Sequence, residues 1–242
     1  MTRNIPQQEQ KVLAADTAVN ALCNEGLIHS GMKIGLGTGS TAMPAVYALS
    51  ALLERGAVTD IKAVATSFQT SIECERLGIP VYSMNAAVIG GELDLAIDGA
   101  DEIDPECRLI KGGGAALLRE KIVEYSARLL VIVADETKAV AHIGTGFAVP
   151  VEVIGEARVP VMRALEKLGA SCVLREGVRK CGPVITDNGN MILDCRWSAP
   201  IDPAAMERAI NDIPGVVENG LFTRVRPTVF IAHADGTVER RA

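Results

Sequence analysis

The segment 129–134 (LLVIVA) constrains the fold more than any other part of the sequence, because every side chain in it is apolar. A strand of this kind is stable only in a sheet that is covered on both faces. Such sheets are typically parallel and alternate along the chain with helices, which pack on the two faces. The segment therefore predicts an α/β fold, in which strands and helices alternate along the chain.

The sequence before this segment shows the expected alternation. Apolar residues recur at helical spacing over 10–27, and a short apolar run at 32–36 ends in a cluster of glycines. Further strands are predicted at 61–65, 80–82 and 93–97, and further helices at 40–54, 68–77 and 115–127. Ser40 or Thr41 is placed to cap the helix at 40–54. We therefore expect a doubly wound, Rossmann-like α/β domain.

The pattern changes after about residue 147. The sequence then predicts a strand at 148–154, a helix at 158–168, a strand at 172–174, a hairpin that joins 184–185 to 191–193, a helix at 203–211 and a strand starting at 215–217. This β-α-β-β-α-β order is that of a ferredoxin-like α+β fold. We expect residues 147–222 to form this small domain, and residues 1–146 and 223–242 to form the Rossmann-like domain. The apolar strand at 229–232 would then return to the large domain.

The charge distribution excludes some classes of partner. The chain carries 24 Lys and Arg against 30 Asp and Glu, a formal net charge of −6, and no basic run exceeds Arg240-Arg241. This argues against a surface that binds a nucleic-acid backbone. No stretch approaches the roughly 18 apolar residues of a membrane helix, and the first ten residues contain no apolar leader segment. We therefore expect a cytoplasmic protein without nucleic-acid or membrane partners.

The cysteines and histidines are scattered along the chain. No Cys-x-x-Cys pair occurs, and no two histidines have the i, i+4 spacing of a helical metal pair. The residues concerned are Cys23, Cys74, Cys107, Cys172, Cys181, Cys195, His29, His142 and His233. Reduced thiols and the absence of a metal site are the expectation.

The segment 35–41 (GLGTGST), here called the glycine loop, follows the predicted first strand. Without side chains, its backbone N–H groups can approach an anion, while Ser40 and Thr41 offer hydroxyls at the positive end of the next helix. The loop predicts a phosphate site, and a simple strand-to-helix turn is the alternative. A dinucleotide site is disfavoured, because residues 65–67 (ATS) occupy the position where such a site needs an acidic residue.

Acidic side chains crowd the segment 98–104 (DGADEID), directly after the predicted strand at 93–97. Such crowding is unfavourable unless cations, hydrogen bonds or protonation relieve it. Acid/base chemistry, a Mg²⁺ or Ca²⁺ site and a solvated turn all fit this pattern.

The segment 111–114 (KGGG), here called the triple-glycine loop, precedes the helix predicted at 115–127. Consecutive glycines are costly in conformational entropy, which indicates close backbone approach to a partner such as a bound ligand. Lys111 could stabilise a developing oxyanion, and Lys138 could hold a phosphate as a point charge. Glu120 is either a solvated helix residue or an acid/base group. Together these segments favour a hydroxylated phosphate ester and proton transfer next to a carbonyl.

The motifs carry a resemblance to a known family. GLGTGST, DGADEID, KGGGAALLREKI, ADETK, PVEVI, ITDNGN and IPGVVENGLF occur in the order found in ribose-5-phosphate isomerase of type A. The chain resembles this family over nearly its whole length. The resemblance implies the interconversion of ribose 5-phosphate and ribulose 5-phosphate in the non-oxidative pentose phosphate pathway. It also implies that no cofactor is needed and that the protein is a homodimer or a tetramer built from two dimers.

The resemblance further implies roles for individual residues. Glu120 would move the proton between C1 and C2, Asp98 and Asp101 would serve the hydroxyls and ring opening, and Lys111 would stabilise the enediolate. Ser40, Thr41 and Lys138 would hold the phosphate. Further substrate contacts expected from the matching motifs are Thr38, Gly39, Gly99, Ala100, Gly112, Gly113 and Gly114. Extra residues around 20–25 leave Lys11 unassigned as the family's N-terminal phosphate-binding lysine.

Other classes of protein share the ancestral fold. A CoA transferase would use a nucleophilic glutamate, which the pairing of DGADE with KGGG does not specifically require. A sugar-phosphate-sensing regulator would need a helix-turn-helix module, for which the roughly 30 residues before the first strand leave too little room. A pure binding module would need no Glu120, so turnover distinguishes it from an enzyme.

Overall fold

A computed structural model describes residues 4–179 and 181–242. The described residues divide into two compact units. Among the described residues, the large unit contains 4–100, Arg119–Ala139 and Val225–Ala242, and the small unit contains Asp101–Leu118, 140–179 and 181–224. The boundaries expected from the sequence instead place 101–118, 140–146 and 223–224 in the large domain. Residues 1–3 and 180, which those boundaries also assign, lie outside the described residues.

The described chain contains six α-helices and thirteen β-strands. In chain order they are α1 (Gln7–Asn24), β1 (Lys33–Leu36), α2 (Met43–Glu54), β2 (Lys62–Ala65), α3 (Phe68–Arg76), β3 (Leu93–Asp98), β4 (Glu102–Ile103), β5 (Leu109–Ile110), α4 (Leu117–Tyr125), β6 (Ala127–Asp135), β7 (Val149–Val153), α5 (Arg158–Lys167), β8 (Ala170–Leu174), β9 (Met191–Trp197), α6 (Pro203–Asn211), β10 (Val216–Asn219), β11 (Leu221–Phe222), β12 (Thr228–Ala232) and β13 (Val238–Arg241). Short 3₁₀ helices lie at Glu136–Lys138 and Gly155–Ala157. No helix among the described residues is long and apolar enough to span a membrane.

The large unit is built on a sheet with the strand order β13-β12-β6-β3-β1-β2. Its strands are parallel except β13, which pairs antiparallel with β12. The apolar segment 130–134 is at most 1% exposed, which confirms the buried strand expected there. Strand β12 pairs with β6, so the strand predicted at 229–232 does return to this sheet. Because β1 lies between β2 and β3, the chain reverses its winding there, and the loops after β1 and β3 leave the same edge.

The small unit contains an antiparallel sheet with the order β10-β7-β9-β8. If the four strands are numbered in chain order within the β-α-β-β-α-β unit, their order in the sheet is 4-1-3-2. This order confirms the ferredoxin-like prediction. A second sheet, β11-β5-β4, was not predicted from the sequence. Its strands have two residues each, too few to show a periodicity.

Several local expectations were wrong. Helix α2 begins at Met43, and its N-cap is Ala42, so neither Ser40 nor Thr41 caps it. The chain turns at Gly39, whose φ of +92° favours glycine, and the two hydroxyl residues lie in that turn before the helix. The strands expected at 80–82 and 184–185 are reduced to single bridges, Ala63 to Val81 and Ile185 to Met191.

Candidate active site

The glycine loop is fixed against the end of β3 in the large unit. A Cβ atom on Gly37 would lie 2.0 Å from Oδ1 of Asp98, so a larger residue does not fit there. The backbone N–H groups of Thr38 and Gly99 donate to the same Oδ1, at 3.1 and 2.7 Å. The Asp98 side chain is therefore buried and oriented by the loop that follows β1.

A cluster of hydroxyl groups contacts the glycine loop. This cluster was not predicted from the sequence. Oγ1 of Thr38 lies 2.6 Å from Oγ1 of Thr66 and 2.8 Å from Oγ of Ser67. The hydroxyl of Thr70 donates to the carbonyl oxygen of Gly37 at 2.7 Å. The available signal was the pair Thr66-Ser67 at the end of β2, where Ser67 also caps α3 by accepting from the Thr70 N–H. These bonds fix the conformation of the glycine loop.

One cationic side chain contacts this loop in the large unit. Nζ of Lys11, on α1, donates to Oγ of Ser40 at 3.0 Å, a contact that the sequence did not establish. Thr41 is buried, and a Cβ on Gly99 would lie 3.0 Å from its Cβ. Lys138 is half-buried and ends the 3₁₀ helix that follows β6. These residues offer ammonium and hydroxyl groups of the kind that bind phosphate.

Glu120 lies in the first turn of α4. Its side chain is only 4% exposed, which argues against the alternative that Glu120 is a solvated helix residue. A carboxylate is favoured electrostatically in the first turn of a helix. Glu120 is therefore a buried acidic group of the large unit.

The structure separates the roles of the acidic residues in 98–104. Glu102 is buried and accepts hydrogen bonds from a loop of the small unit, through the backbone N–H groups of Gly144, Gly146 and Phe147 at 2.6, 3.1 and 2.6 Å. Asp104 is buried and accepts from the backbone N–H and the Nε of Arg108, at 2.9 and 2.6 Å. Both carboxylates thus stabilise local structure. Asp98 and Asp101 remain the candidates for chemistry.

The triple-glycine loop is packed tightly within the small unit. Gly112 has a φ of +97°, and a Cβ there would meet Leu117 at 2.8 Å. The Gly113 N–H donates to Oδ2 of Asp101 at 2.7 Å. Close approach of protein atoms therefore accounts for Gly112 and Gly113. A Cβ added to Gly114 would have no described atom within 4 Å, so this end of the loop is open.

Lys111 begins the triple-glycine loop and is only 2% exposed. Its backbone N–H donates to the carbonyl oxygen of Gly220 at 3.0 Å, and its Nζ lies 5.6 Å from the ring centroid of Phe222. A cation over an aromatic face is stabilised when it is withdrawn from water. The small unit therefore keeps Lys111 as a buried ammonium group.

Comparison with known proteins identifies the family. The family model of ribose 5-phosphate isomerase A (phosphoriboisomerase A) matches residues 62–236. The chain belongs to the ribose 5-phosphate isomerase A family. A protein named ribose-5-phosphate isomerase A from Treponema denticola is 60% identical over 92% of this chain and 94% of its own length. A protein of the same name from Treponema pallidum is 57% identical, over 96% and 92% of the two chains.

Solved structures of the ribose 5-phosphate isomerase A family share the fold. A D-ribose-5-phosphate isomerase in complex with phospho-erythronic acid has a TM-score of 0.90 and 40% identity, covering 98% of this chain and 99% of the other. Ribose 5-phosphate isomerase A from Methanocaldococcus jannaschii has a TM-score of 0.86 and 40% identity, covering 96% and 99%. These likenesses confirm the predicted fold class and the resemblance found in the motifs.

The predicted site residues of this family member are divided between the units. The large unit contains Thr38, Gly39, Ser40, Thr41, Asp98, Gly99, Ala100, Glu120 and Lys138, and the small unit contains Asp101, Lys111, Gly112, Gly113 and Gly114. The chain connects the two sets directly, because Asp101 follows Ala100 and helix α4 starts in one unit and ends in the other. Sequence reasoning also missed Arg175, which binds the triple-glycine loop, and its carboxylate partner Asp194 on β9.

Within residues 4–179 and 181–242, no group of three or more His, Cys, Asp or Glu side chains is placed to hold a metal ion. Cys172 and Cys195 face each other across β8 and β9 with their sulfur atoms 3.4 Å apart, and both are free thiols.

Proposed function

We propose that this chain interconverts D-ribose 5-phosphate and D-ribulose 5-phosphate through an enediolate, with Glu120 as the general base. The observation that carries the proposal is the burial of Glu120 at the start of α4, within the motif KGGGAALLREK of an isomerase family. A carboxylate held next to the substrate can accept a proton from carbon and return it. Membership of the family supports the substrate.

The proposed reaction moves one proton between carbon atoms. Glu120 takes the proton from C2 of the open-chain aldose, and the electrons of that C–H bond form the C1–C2 double bond. Negative charge then develops on the oxygen at C1, where the ammonium group of Lys111 stabilises it. The hydroxyl proton passes from O2 to O1, and Glu120 returns its proton to C1 to give the ketose. Asp98 and Asp101 serve the sugar hydroxyls and the opening of the ring.

We assign the phosphate to the glycine loop. Ser40, Thr41 and Lys138 supply hydroxyl and ammonium groups, and the contact between Lys11 and Ser40 supports adding Lys11 to this set. The Thr38 hydroxyl is engaged with Thr66 and Ser67, so Thr38 serves the loop mainly through its backbone. Gly39, Gly99, Ala100, Gly112, Gly113 and Gly114 complete the proposed substrate contacts.

The reaction requires no cofactor in this scheme, because proton transfer and charge stabilisation both come from side chains. Following the family resemblance, we propose a homodimer, or a tetramer built from two dimers, which light scattering after size-exclusion chromatography measures. A cytoplasmic location and the lack of nucleic-acid partners stay predictions from the sequence.

The test is an isomerase assay with the purified chain, ribose 5-phosphate and excess EDTA, in which formation of the ketose is followed. We expect full activity, and inhibition by phospho-erythronic acid, whose carboxylate has the planar, two-oxygen form of an enediolate. Loss of activity on chelation, restored by Mg²⁺ or Mn²⁺, would contradict the proposal and favour a metal-assisted hydride shift. No turnover of ribose 5-phosphate under any condition would overturn the function itself.

A further inference from the structure

An ion pair of the small unit is hydrogen-bonded to the triple-glycine loop. Arg175 follows the last residue of β8, and its Nε and Nη2 atoms contact the two carboxylate oxygens of Asp194, on β9, at 2.9 and 2.5 Å. The Nη1 atom of the same guanidinium donates to the carbonyl oxygens of Gly112 and Gly113, at 2.9 and 3.0 Å. A two-pronged pair with a carboxylate fixes the plane of the guanidinium, so its remaining donors have a fixed direction.

The peptide group between Gly112 and Gly113 connects this ion pair to Asp101. The carbonyl oxygen of this peptide accepts from Arg175, and its N–H donates to Oδ2 of Asp101 at 2.7 Å. A peptide group is planar and rigid, so a bond on its oxygen side fixes the direction of its N–H. Hydrogen bonds in series also polarise one another, so the cation on the oxygen side strengthens the N–H as a donor.

The glycines of the loop restrict its backbone conformation little, so contacts from other residues help to fix it. Gly112 has a left-handed φ, and glycine populates both signs of φ about equally. The outer side of the loop at Gly113 and Gly114 is exposed. Within the loop, the carbonyl oxygen of Gly112 also accepts from the Ala115 N–H at 2.9 Å. The Arg175 guanidinium, whose side chain is 15% exposed, adds a charged donor from outside the loop and so strengthens the restraint on this peptide.

We propose that Arg175, oriented by Asp194, is a positioning residue for the isomerase reaction. It holds the Gly112–Gly113 peptide in the direction that orients the carboxylate of Asp101, and it restrains the loop that begins at Lys111. The inference rests on the proposed function, because Arg175 can affect turnover in this way only if Asp101 and Lys111 act on the substrate.

A second arginine close to Arg175, in a cleft of the small unit, provides a matched control. Arg175, Asp194, Phe147, Ser171 and Val173 line a cleft of about 410 Å³, and Arg196 lies on its wall as well. The Nη1 atom of Arg196 donates to the carbonyl oxygen of Gly146, at 3.0 Å, which is outside the triple-glycine loop. Arg196→Met therefore removes a guanidinium from the same cleft without releasing the loop.

The experiment compares Arg175→Met, Arg175→Lys and Arg196→Met in the full chain. We expect Arg175→Met to lower kcat by about 10²-fold with a much smaller change in KM, because small displacements of reacting groups mainly cost rate. Arg175→Lys keeps the positive charge but loses the planar guanidinium that pairs with both carboxylate oxygens of Asp194. We therefore expect a kcat between those of the wild type and Arg175→Met. Arg196→Met should keep the wild-type kcat. In Arg175→Ala, added guanidinium ion should restore part of the lost rate.

Hydrogen exchange supplies a readout that does not depend on turnover. Amide exchange of peptides covering residues 109–118 should be faster in Arg175→Met than in Arg196→Met, at equal thermal stability. If Arg175→Met fails to fold, the same comparison is made with Arg175→Lys. Exchange and kcat that match the Arg196→Met control would overturn the inference.

A further variant separates this inference from the function on which it rests. Asp101→Asn should itself lower kcat if Asp101 serves the substrate. Wild-type turnover in Asp101→Asn would overturn the proposed role of Asp101 and the positioning role together. An impaired Asp101→Asn beside a fully active Arg175→Met would overturn the positioning role alone.

Discussion

The carboxyl group of Asp98 fills the space that a side chain on Gly37 would need, since a Cβ on Gly37 would lie 2.0 Å from Oδ1 and from the carboxyl carbon of Asp98. The loop after β1 and the carboxylate at the end of β3 therefore depend on one another. This arrangement requires glycine for its lack of a side chain, because no left-handed φ is found at Gly37.

Gly37→Ala should consequently disturb both stability and activity. The added methyl group must displace Asp98 or the loop, and overpacking of this kind typically costs about 1–3 kcal/mol. Denaturant unfolding measures the change in the free energy of unfolding. Gly114→Ala is the control, because its Cβ meets no described atom within 4 Å, and a change within about 0.5 kcal/mol is expected. Equal stability of the two variants would show that the loop relaxes freely.

Glu120→Gln should lower kcat by at least about 10²-fold, because glutamine keeps the size of the side chain but cannot accept the proton. Thermal stability and the affinity for phospho-erythronic acid should change little. The wild-type enzyme in D₂O should place deuterium on the carbon next to the carbonyl. Glu75→Gln, an exposed position on α3, is the matched control. A Glu120→Gln variant with near-normal kcat would move the base role to Asp98 or Asp101.

Lys138→Ala should raise KM for ribose 5-phosphate by about tenfold or more and change kcat less, because phosphate binding is common to the ground and transition states. Lys11→Ala should act in the same direction, through its contact with Ser40. Lys167→Ala, at the exposed end of α5, serves as the control for loss of a lysine. If KM is unchanged in both variants, the phosphate does not bind at the glycine loop.

Cys172 should react with iodoacetamide at a lower pH than Cys74. A hydrogen bond with Cys195 lowers the pKa of the Cys172 thiol, whereas burial raises the pKa of Cys74 to about 11. Since the thiolate is the reactive form, a lower pKa gives more thiolate at a given pH. Peptide mass spectrometry of alkylation against pH measures both midpoints. Cys195→Ala removes the hydrogen bond and should raise the midpoint of Cys172, and an unchanged midpoint would refute this explanation.

Segments with a strong local signal could be predicted from the sequence. The apolar run at 130–134 had to be a buried strand, and α6 was predicted with the observed bounds Pro203–Asn211, because a proline and a capping aspartate mark its start. The motifs 98–104 and 111–114 stood out as candidate functional segments, although the sequence left acid/base chemistry, a metal site and a solvated turn open for 98–104. Their residue types are costly unless they serve a function or pack closely, so composition alone makes them conspicuous.

The tertiary structure decided which of those residues act on structure. Glu102 and Asp104 look like Asp98 and Asp101 in the sequence, but Glu102 bonds the backbone of the loop 144–147 and Asp104 pairs with Arg108, whereas Asp98 and Asp101 bond the glycine loop and the triple-glycine loop. Arg175 follows β8 and lies 19 residues before Asp194 on the neighbouring strand β9, and it contacts the triple-glycine loop 62 and 63 residues earlier in the chain. Such partnerships depend on strand register and side-chain direction, which are fixed only when distant segments pack together. The sequence by itself therefore determined the layers of the fold and the chemical groups, and the packing of those layers determined their partners.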